Sequence, residues 1–125
     1  MTKLKTLAAL LAASAALGNT AFAADTELNL YTARHYQTDE TLYANFTTRT
    51  GIKINRIEGK EEELLERIRN EGANSPADVF ITVDAARLAA ADQYGLFATV
   101  DSPSLKSASP AHLRTDRWFA FSTRA

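Results

Sequence analysis

The chain contains no cysteine. That excludes a disulfide framework, a cysteine-ligated zinc or iron–sulfur site and a thiol nucleophile. It does not decide the compartment, because exported proteins can also lack cysteine. An excess of basic charge is missing too. The 14 Lys+Arg stand against 15 Asp+Glu, a formal charge of −1, which excludes the electropositive footprint of a nucleic-acid-binding protein. With 5 Gly and 3 Pro in 125 residues, the chain is neither collagen-like nor low-complexity. It has no glycine-rich phosphate loop, no G-x-S-x-G elbow and no H-E-x-x-H. The acidic run Lys60-Glu61-Glu62-Glu63 lacks the spaced Asp/Asn-Gly loop of a calcium site. It reads more simply as a first helical turn complementing the helix dipole. What is there is an ordinary globular composition, 46% apolar and 23% charged, in a length that holds one domain or part of one.

Residues 1–23 read as a cleaved secretory signal. Lys3 and Lys5 form a basic start, Leu7 to Leu17 is apolar but for Ser14, Gly18 breaks the run, and Ala21-Phe22-Ala23 supplies the small-x-small cleavage pattern. The apolar run is shorter than the ~20 residues a membrane span needs. With no cysteine after it, a lipid anchor is excluded. Removal of Lys3 and Lys5 with this segment leaves 12 Lys+Arg against 15 acidic residues, a charge of −3 for residues 24–125. The expected compartment is the periplasm.

Beyond the signal, strands alternate with helices. Glu27–Ala33 reads as a strand. Thr38–Thr50 reads as a helix capped by Thr38 or Asp39, with Leu42 and Phe46 stacked and Gly51 as its stop. Ile52–Glu58 alternates at period two, as a strand does. Glu61–Glu71 reads as a helix with a buried stripe of Leu64, Leu65 and Ile68, an exposed Glu63–Arg67 pair and Gly72 as its stop. After the turn Asn74-Ser75-Pro76, the apolar run Ala77–Val83 fits a central parallel strand covered on both faces. Asp84 caps a third helix through Tyr94, residues 101–117 read as loop, and Trp118 begins a fourth strand. The order βαβαβα-loop-β predicts an α/β fold with a mainly parallel, doubly wound sheet. Because the last strand runs to Ala125 without a cap or tail, the chain is expected to be an incomplete domain. The alternative is a small complete domain ending on an edge strand.

In open parallel sheets, ligands gather where the strands end and the next helices begin. Three loops meet that description: Arg34-His35-Tyr36, Glu58-Gly59-Lys60 and Val83-Asp84-Ala85. His35 and Tyr36 are the sharpest pair, against the alternative of a solvated loop histidine beside a tyrosine packed on the sheet edge. Tyr31 and Tyr43 read as packing residues, His112 as exposed, and Asp84 first as a helix cap.

Several separated segments resemble one family. They are Leu28-Asn-Leu-Tyr-Thr-Ala-Arg-His-Tyr36, Thr50-Gly-Ile-Lys-Ile54, Glu71-Gly-Ala-Asn-Ser-Pro-Ala-Asp-Val-Phe80, Val83-Asp-Ala85 and Trp118-Phe-Ala-Phe-Ser122 with Arg124. Together they are similar to the start of the periplasmic ferric-iron-binding proteins of ABC transporters, in the tyrosine-ligand subgroup. The resemblance implies a type II periplasmic-binding-protein fold, with residues 24–125 an incomplete N-terminal lobe of a two-lobed, monomeric carrier. It implies that Fe(III) is bound as the transported ligand and delivered to an ABC permease in the inner membrane, with no enzymatic step. It makes His35 and Tyr36 the metal-ligand candidates and Arg34, Gly59 and Asp84 cleft candidates, with Arg124 a charge-balancing residue. Some relatives use a Glu just after the third strand; Val83 stands there instead, which points away from that subgroup.

The chemistry agrees with such a cargo. Ferric iron is a hard acid, suited to anionic oxygen, by extension of the rule for divalent metals. A free tyrosine titrates near 10, and a directly bound cation lowers such values strongly. Binding would therefore release protons and weaken in acid. The lack of cysteine spares the site thiol oxidation. The competing functions are a carrier of another small anion and part of a periplasmic hydrolase.

Overall fold

Glu27–Thr32 forms strand β1, and the rest of the sheet is built on it. The computed structural model describes residues 26–122. The expected signal segment and Arg124 lie outside the described residues. The elements that follow β1 are α1 (Gln37–Thr50), β2 (Lys53–Glu58), α2 (Glu61–Glu71), β3 (Val79–Ile81), α3 (Ala85–Asp92) and α4 (Pro103–Ala108). The sheet is parallel in the order β2-β1-β3, so each consecutive pair of strands needs a crossover, and α1 and α2 supply them. The register runs from Glu27 opposite Lys53 to Thr32 opposite Glu58 on one side, and from Leu30 opposite Val79 to Thr32 opposite Ile81 on the other.

The period-two alternation of β1 gives it two faces. Tyr31, fully buried, packs with Leu64 and Ile68 of α2, and Ile57 and Phe80 close around them. Leu28 and Leu30 look the other way. With Tyr43 and Phe46 of α1 and Ile54 of β2 they line an open, largely apolar cleft of about 830 Å³. Leu65, expected in the stripe of α2, is half-buried.

Helix ends follow local chemistry where the sequence supplies it. Gly51 closes α1 in the left-handed region at φ 74°, its N–H donating to the Thr47 carbonyl. Asp84 caps α3, accepting from the Arg87 N–H at 2.8 Å. That helix ends at Asp92 rather than Tyr94, whose half-exposed ring instead lies under the Arg69 guanidinium at 4.3 Å. The start of α1 departs from expectation: neither Thr38 nor Asp39 caps it. Tyr36 occupies the cap position without a side-chain bond, and Asp39 is buried in an ion pair with Arg34.

Three further expectations are corrected. The central strand is β1; among the described residues β3 is three residues long, lies at the sheet edge and leaves Val79 39% exposed. A continuous apolar run reports burial, not rank in the sheet. Residues 101–117 are not mostly loop. Ser102 caps α4 by accepting from the Leu105 N–H at 3.3 Å, and Pro103 opens that helix where its missing N–H is harmless. The stretch from Trp118 is no fourth sheet strand among the described residues; it makes a single antiparallel bridge, Phe119 to Arg114. The ring of Phe121, still half-exposed, lies 5.0 Å from the Arg34 guanidinium of the loop after β1. The expected Glu63–Arg67 pair is also replaced. Lys60 meets Glu63 at 3.7 Å, and Arg67 reaches Glu71 at 2.7 Å.

Glu71 ties α2 to β1. It accepts from the Tyr31 hydroxyl at 3.0 and 3.1 Å, from Arg67 Nε at 2.7 Å and from the Ser75 hydroxyl at 2.8 Å. Arg67 and Ser75 hold its carboxyl below the ordinary 4.5, although partial burial opposes them. A depressed carboxylate stabilises the fold above its unfolded value and loses that contribution as pH falls through its folded one. Urea unfolding should therefore show stability declining as pH drops below 4.5, and Glu71→Gln should flatten that decline. Tyr31→Phe should cost about 1.5–3 kcal/mol at neutral pH, the usual net worth of a hydrogen bond to a charged group.

Candidate metal centre

The strand ends of β1, β2 and β3 form one edge, and the ladder continues past them. The Ala33 N–H donates to the Ile81 carbonyl at 2.9 Å, and the Gly59 N–H to the Thr32 carbonyl at 3.3 Å. The Thr32 hydroxyl, fully buried, accepts from the Arg34 N–H at 3.1 Å, which turns the chain out of the strand. The loop bearing His35 and Tyr36 is thus tied to the sheet immediately before those residues.

Arg34 holds the loop from its other end. Its guanidinium makes a fork with the Asp39 carboxylate, Nε to Oδ2 and Nη2 to Oδ1, both at 3.0 Å. The two side chains are only 11% and 8% exposed. The remaining terminal nitrogen, Nη1, donates to the Ser122 hydroxyl at 2.9 Å. The same guanidinium lies 4.9 Å from the Tyr36 ring centroid and 5.0 Å from that of Phe121. Three of its five N–H groups are bonded to neighbours, one from each nitrogen, which ties it to both sides of the edge.

His35 and Tyr36 stand outward from this base. The His35 side chain is 56% exposed, with Nδ1 3.8 Å from Glu58 Oε2, too long for a direct hydrogen bond. Tyr36 is 45% exposed. Both are open to an incoming ligand. Glu58 is close because it ends β2 in register with Thr32, and Arg56 approaches its other oxygen at 3.3 Å. Asp84 spends one oxygen on its cap, while the Thr82 hydroxyl bonds its carbonyl at 2.9 Å. Gly59 lies against Leu64, where an added Cβ would come to 3.4 Å of a methyl, an ordinary contact. Among the described residues no three His, Cys, Asp or Glu side chains cluster closely enough to hold a metal ion.

No family model matches the chain. Iron uptake protein A1 of Synechocystis is 57% identical over 101 residues, 79% of this chain and 28% of its own length. The Fe(3+)-binding periplasmic protein of Serratia marcescens is 34% identical over 120 residues, 94% of this chain and 36% of its own. Among solved structures, Trichodesmium IdiA (FutA) in complex with iron and citrate superposes with a TM-score of 0.70 at 53% identity, over 74% of this chain and 30% of that one. The ferric binding protein from Campylobacter jejuni gives 0.71 at 47% identity over the same shares. Over the matched residues the chain is similar in sequence and fold to these ferric-iron-binding proteins. It spans about a third of the length of the curated relatives it matches, 28–36% for the two named. These likenesses support the type II-like α/β fold and the iron reading; the anion-carrier and hydrolase alternatives gain no support from them.

Sequence reasoning missed the roles of Asp39 and Ser122, and named Glu58 only as part of the loop Glu58-Gly59-Lys60. The approach of Glu58 to His35 was open to detection, since a residue ending a strand paired with β1 must come near the loop after β1. Asp39 was mistaken for a cap, and nothing local announces Ser122, which is 88 residues from Arg34. Glu61 was also misread. The exposed Glu62 and Glu63 can complement the helix dipole, but the Glu61 side chain is only 10% exposed, with one oxygen 3.4 Å from Arg87. Burial pushes its carboxyl up, outweighing the Val83 backbone and Arg87, which pull it down. A raised carboxyl favours folding below its unfolded value, 4.5, and loses that contribution as pH rises through its folded one. Glu61→Gln should therefore be more stable than the parent at neutral pH, with the gap closing in acid. Thermal melts across the acid range read this directly.

Proposed function

We propose that this chain is the metal-facing part of the first lobe of a periplasmic ferric-iron carrier, which hands Fe(III) to an ABC permease. On this reading residues 1–23 are a cleaved export signal, and residues 24–125 belong to a lobe completed by further polypeptide. The relatives support the cargo by name: iron uptake, Fe(3+)-binding, and a complex with iron and citrate. The observation that carries the proposal in this chain is the pairing of exposed His35 and Tyr36 at the strand-end edge of a parallel sheet, on a loop anchored at both ends.

In this proposal Tyr36 supplies phenolate oxygen and His35 an imidazole nitrogen. A trivalent hard ion favours the oxygen donor by the same logic that assigns oxygen ligands to hard divalent ions. Metal replaces the phenol proton, so uptake releases protons and acid opposes it. Glu58 Oε2, 3.8 Å from His35 Nδ1, would need to close to hydrogen-bond distance to take the role a carboxylate usually has next to a metal-binding histidine.

Two donors do not enclose a ferric ion, and among the described residues no three His, Cys, Asp or Glu side chains group together to complete a shell. The 125-residue chain titrated calorimetrically with ferric citrate should accordingly show no one-to-one binding of micromolar strength or tighter. The longer protein should bind and show a visible phenolate-to-iron charge-transfer band, weakened in Tyr36→Phe. An unchanged band in that variant would remove Tyr36 from the ligand set.

A further inference from the structure

We infer that Asp39 is a positioning residue for the metal edge: through Arg34 it sets the Tyr36 ring and fixes the segment at Phe121–Ser122 against the same loop. The inference deepens the proposed iron role of Tyr36 and rests on it for its functional consequence, though not for its structural one.

The argument starts from placement. Asp39 lies in the first turn of α1 but does not serve that helix as a cap. It is 6% exposed and spends both oxygens on one partner. A carboxylate taken that far out of water is tolerated only with a well-made counter-ion, and the bidentate fork of Arg34 provides it. The fork fixes the plane of the guanidinium. Once fixed, the plane presents itself to two rings, Tyr36 at 4.9 Å and Phe121 at 5.0 Å, and aims its remaining terminal nitrogen at Ser122. Tyr36 is half-exposed, so side-chain packing alone holds it weakly, and the cation face is the defined contact it has. Lysine cannot replace arginine here, because a point charge has neither the fork nor the plane.

The test uses the longer protein with 13C-labelled tyrosine, the Tyr36 signal being assigned by its loss in Tyr36→Phe. In the iron-free state Asp39→Asn should shift and broaden the Tyr36 signal while leaving Tyr94 in place. With iron, the charge-transfer band should move and affinity should fall about tenfold, the low end for residues that orient a metal ligand. Asp39→Asn strands a buried guanidinium and can fail to fold. The double variant Asp39→Asn/Arg34→Gln removes both charges, and should fold while showing the same Tyr36 and iron changes. Tyr31→Phe, which weakens the core elsewhere, should melt earlier without moving either signal. The inference is overturned if the double variant leaves the iron-free Tyr36 signal unchanged, or if Tyr31→Phe alters it equally. If that signal moves but iron binding does not, the positioning role stands and the ligand role of Tyr36 falls.

Discussion

The buried Arg34–Asp39 pair is the constraint on which the edge of this molecule depends. Charges with side chains 11% and 8% exposed are not a cheap source of stability, since desolvation offsets most of their attraction. Their value lies in the cost of misplacing them: removing one partner from such a pair typically costs about 3–5 kcal/mol. The loop after β1 and the first turn of α1 must therefore meet in one arrangement, and Phe121 and Ser122 add exposed contacts to it. A salt bridge at the surface could not enforce that, being worth at most about 1 kcal/mol. Those such as Lys53–Glu27, 68% and 55% exposed, belong to that weak class.

A second constraint acts from within the sheet. Strand β1 is paired on both sides and carries the buried run Leu30, Tyr31 and Thr32. Each of the three serves a different layer: Leu30 the α1 face, Tyr31 the α2 core, and Thr32 the exit turn through its hydroxyl. The strand that fixes the core thus also aims the loop bearing His35 and Tyr36. A shift of one residue in its register would turn Tyr31 to the wrong face, and with it the Glu71 anchor and the direction of the loop. Core and edge are specified by the same six residues.

The same contrast explains what could be read in the sequence. Elements set by local rules were legible: the alternation of β1 and β2, the stripe of α2, the glycine stop of α1 and the Asp84 cap. Each needs only residues within a turn or a strand. The rank of β3, the course of residues 101–122 and the role of Asp39 were not legible, because pairing across long separations decides them. Asp39 illustrates the point. An acidic residue near a helix start has a ready local explanation, and only the approach of Arg34 from the preceding loop replaces it. His35 and Tyr36 were legible as candidates because strand-end loops in parallel sheets collect functional side chains, whatever those side chains then bind.

The edge is informative in how unequally it spends its polar groups. Arg34, Asp39, Thr32 and Asp84 are bonded within the protein. His35, Tyr36 and Glu58 are left about half exposed, with no short hydrogen bond among them. Half-exposure of a tyrosine is ordinary in itself, as Tyr94 shows; here the phenol stands beside an exposed imidazole and carboxylate at the strand-end edge. A surface built to meet a ligand keeps such donors free, since donors already satisfied within the protein would have to be stripped of those bonds before binding. The ordered layer beneath limits the entropy lost when the outer donors are fixed. The outer layer keeps oxygen and nitrogen free for a cation. That division, a bonded base under exposed donors, is what this chain contributes to the proposed iron role, while the cargo itself is argued from the relatives.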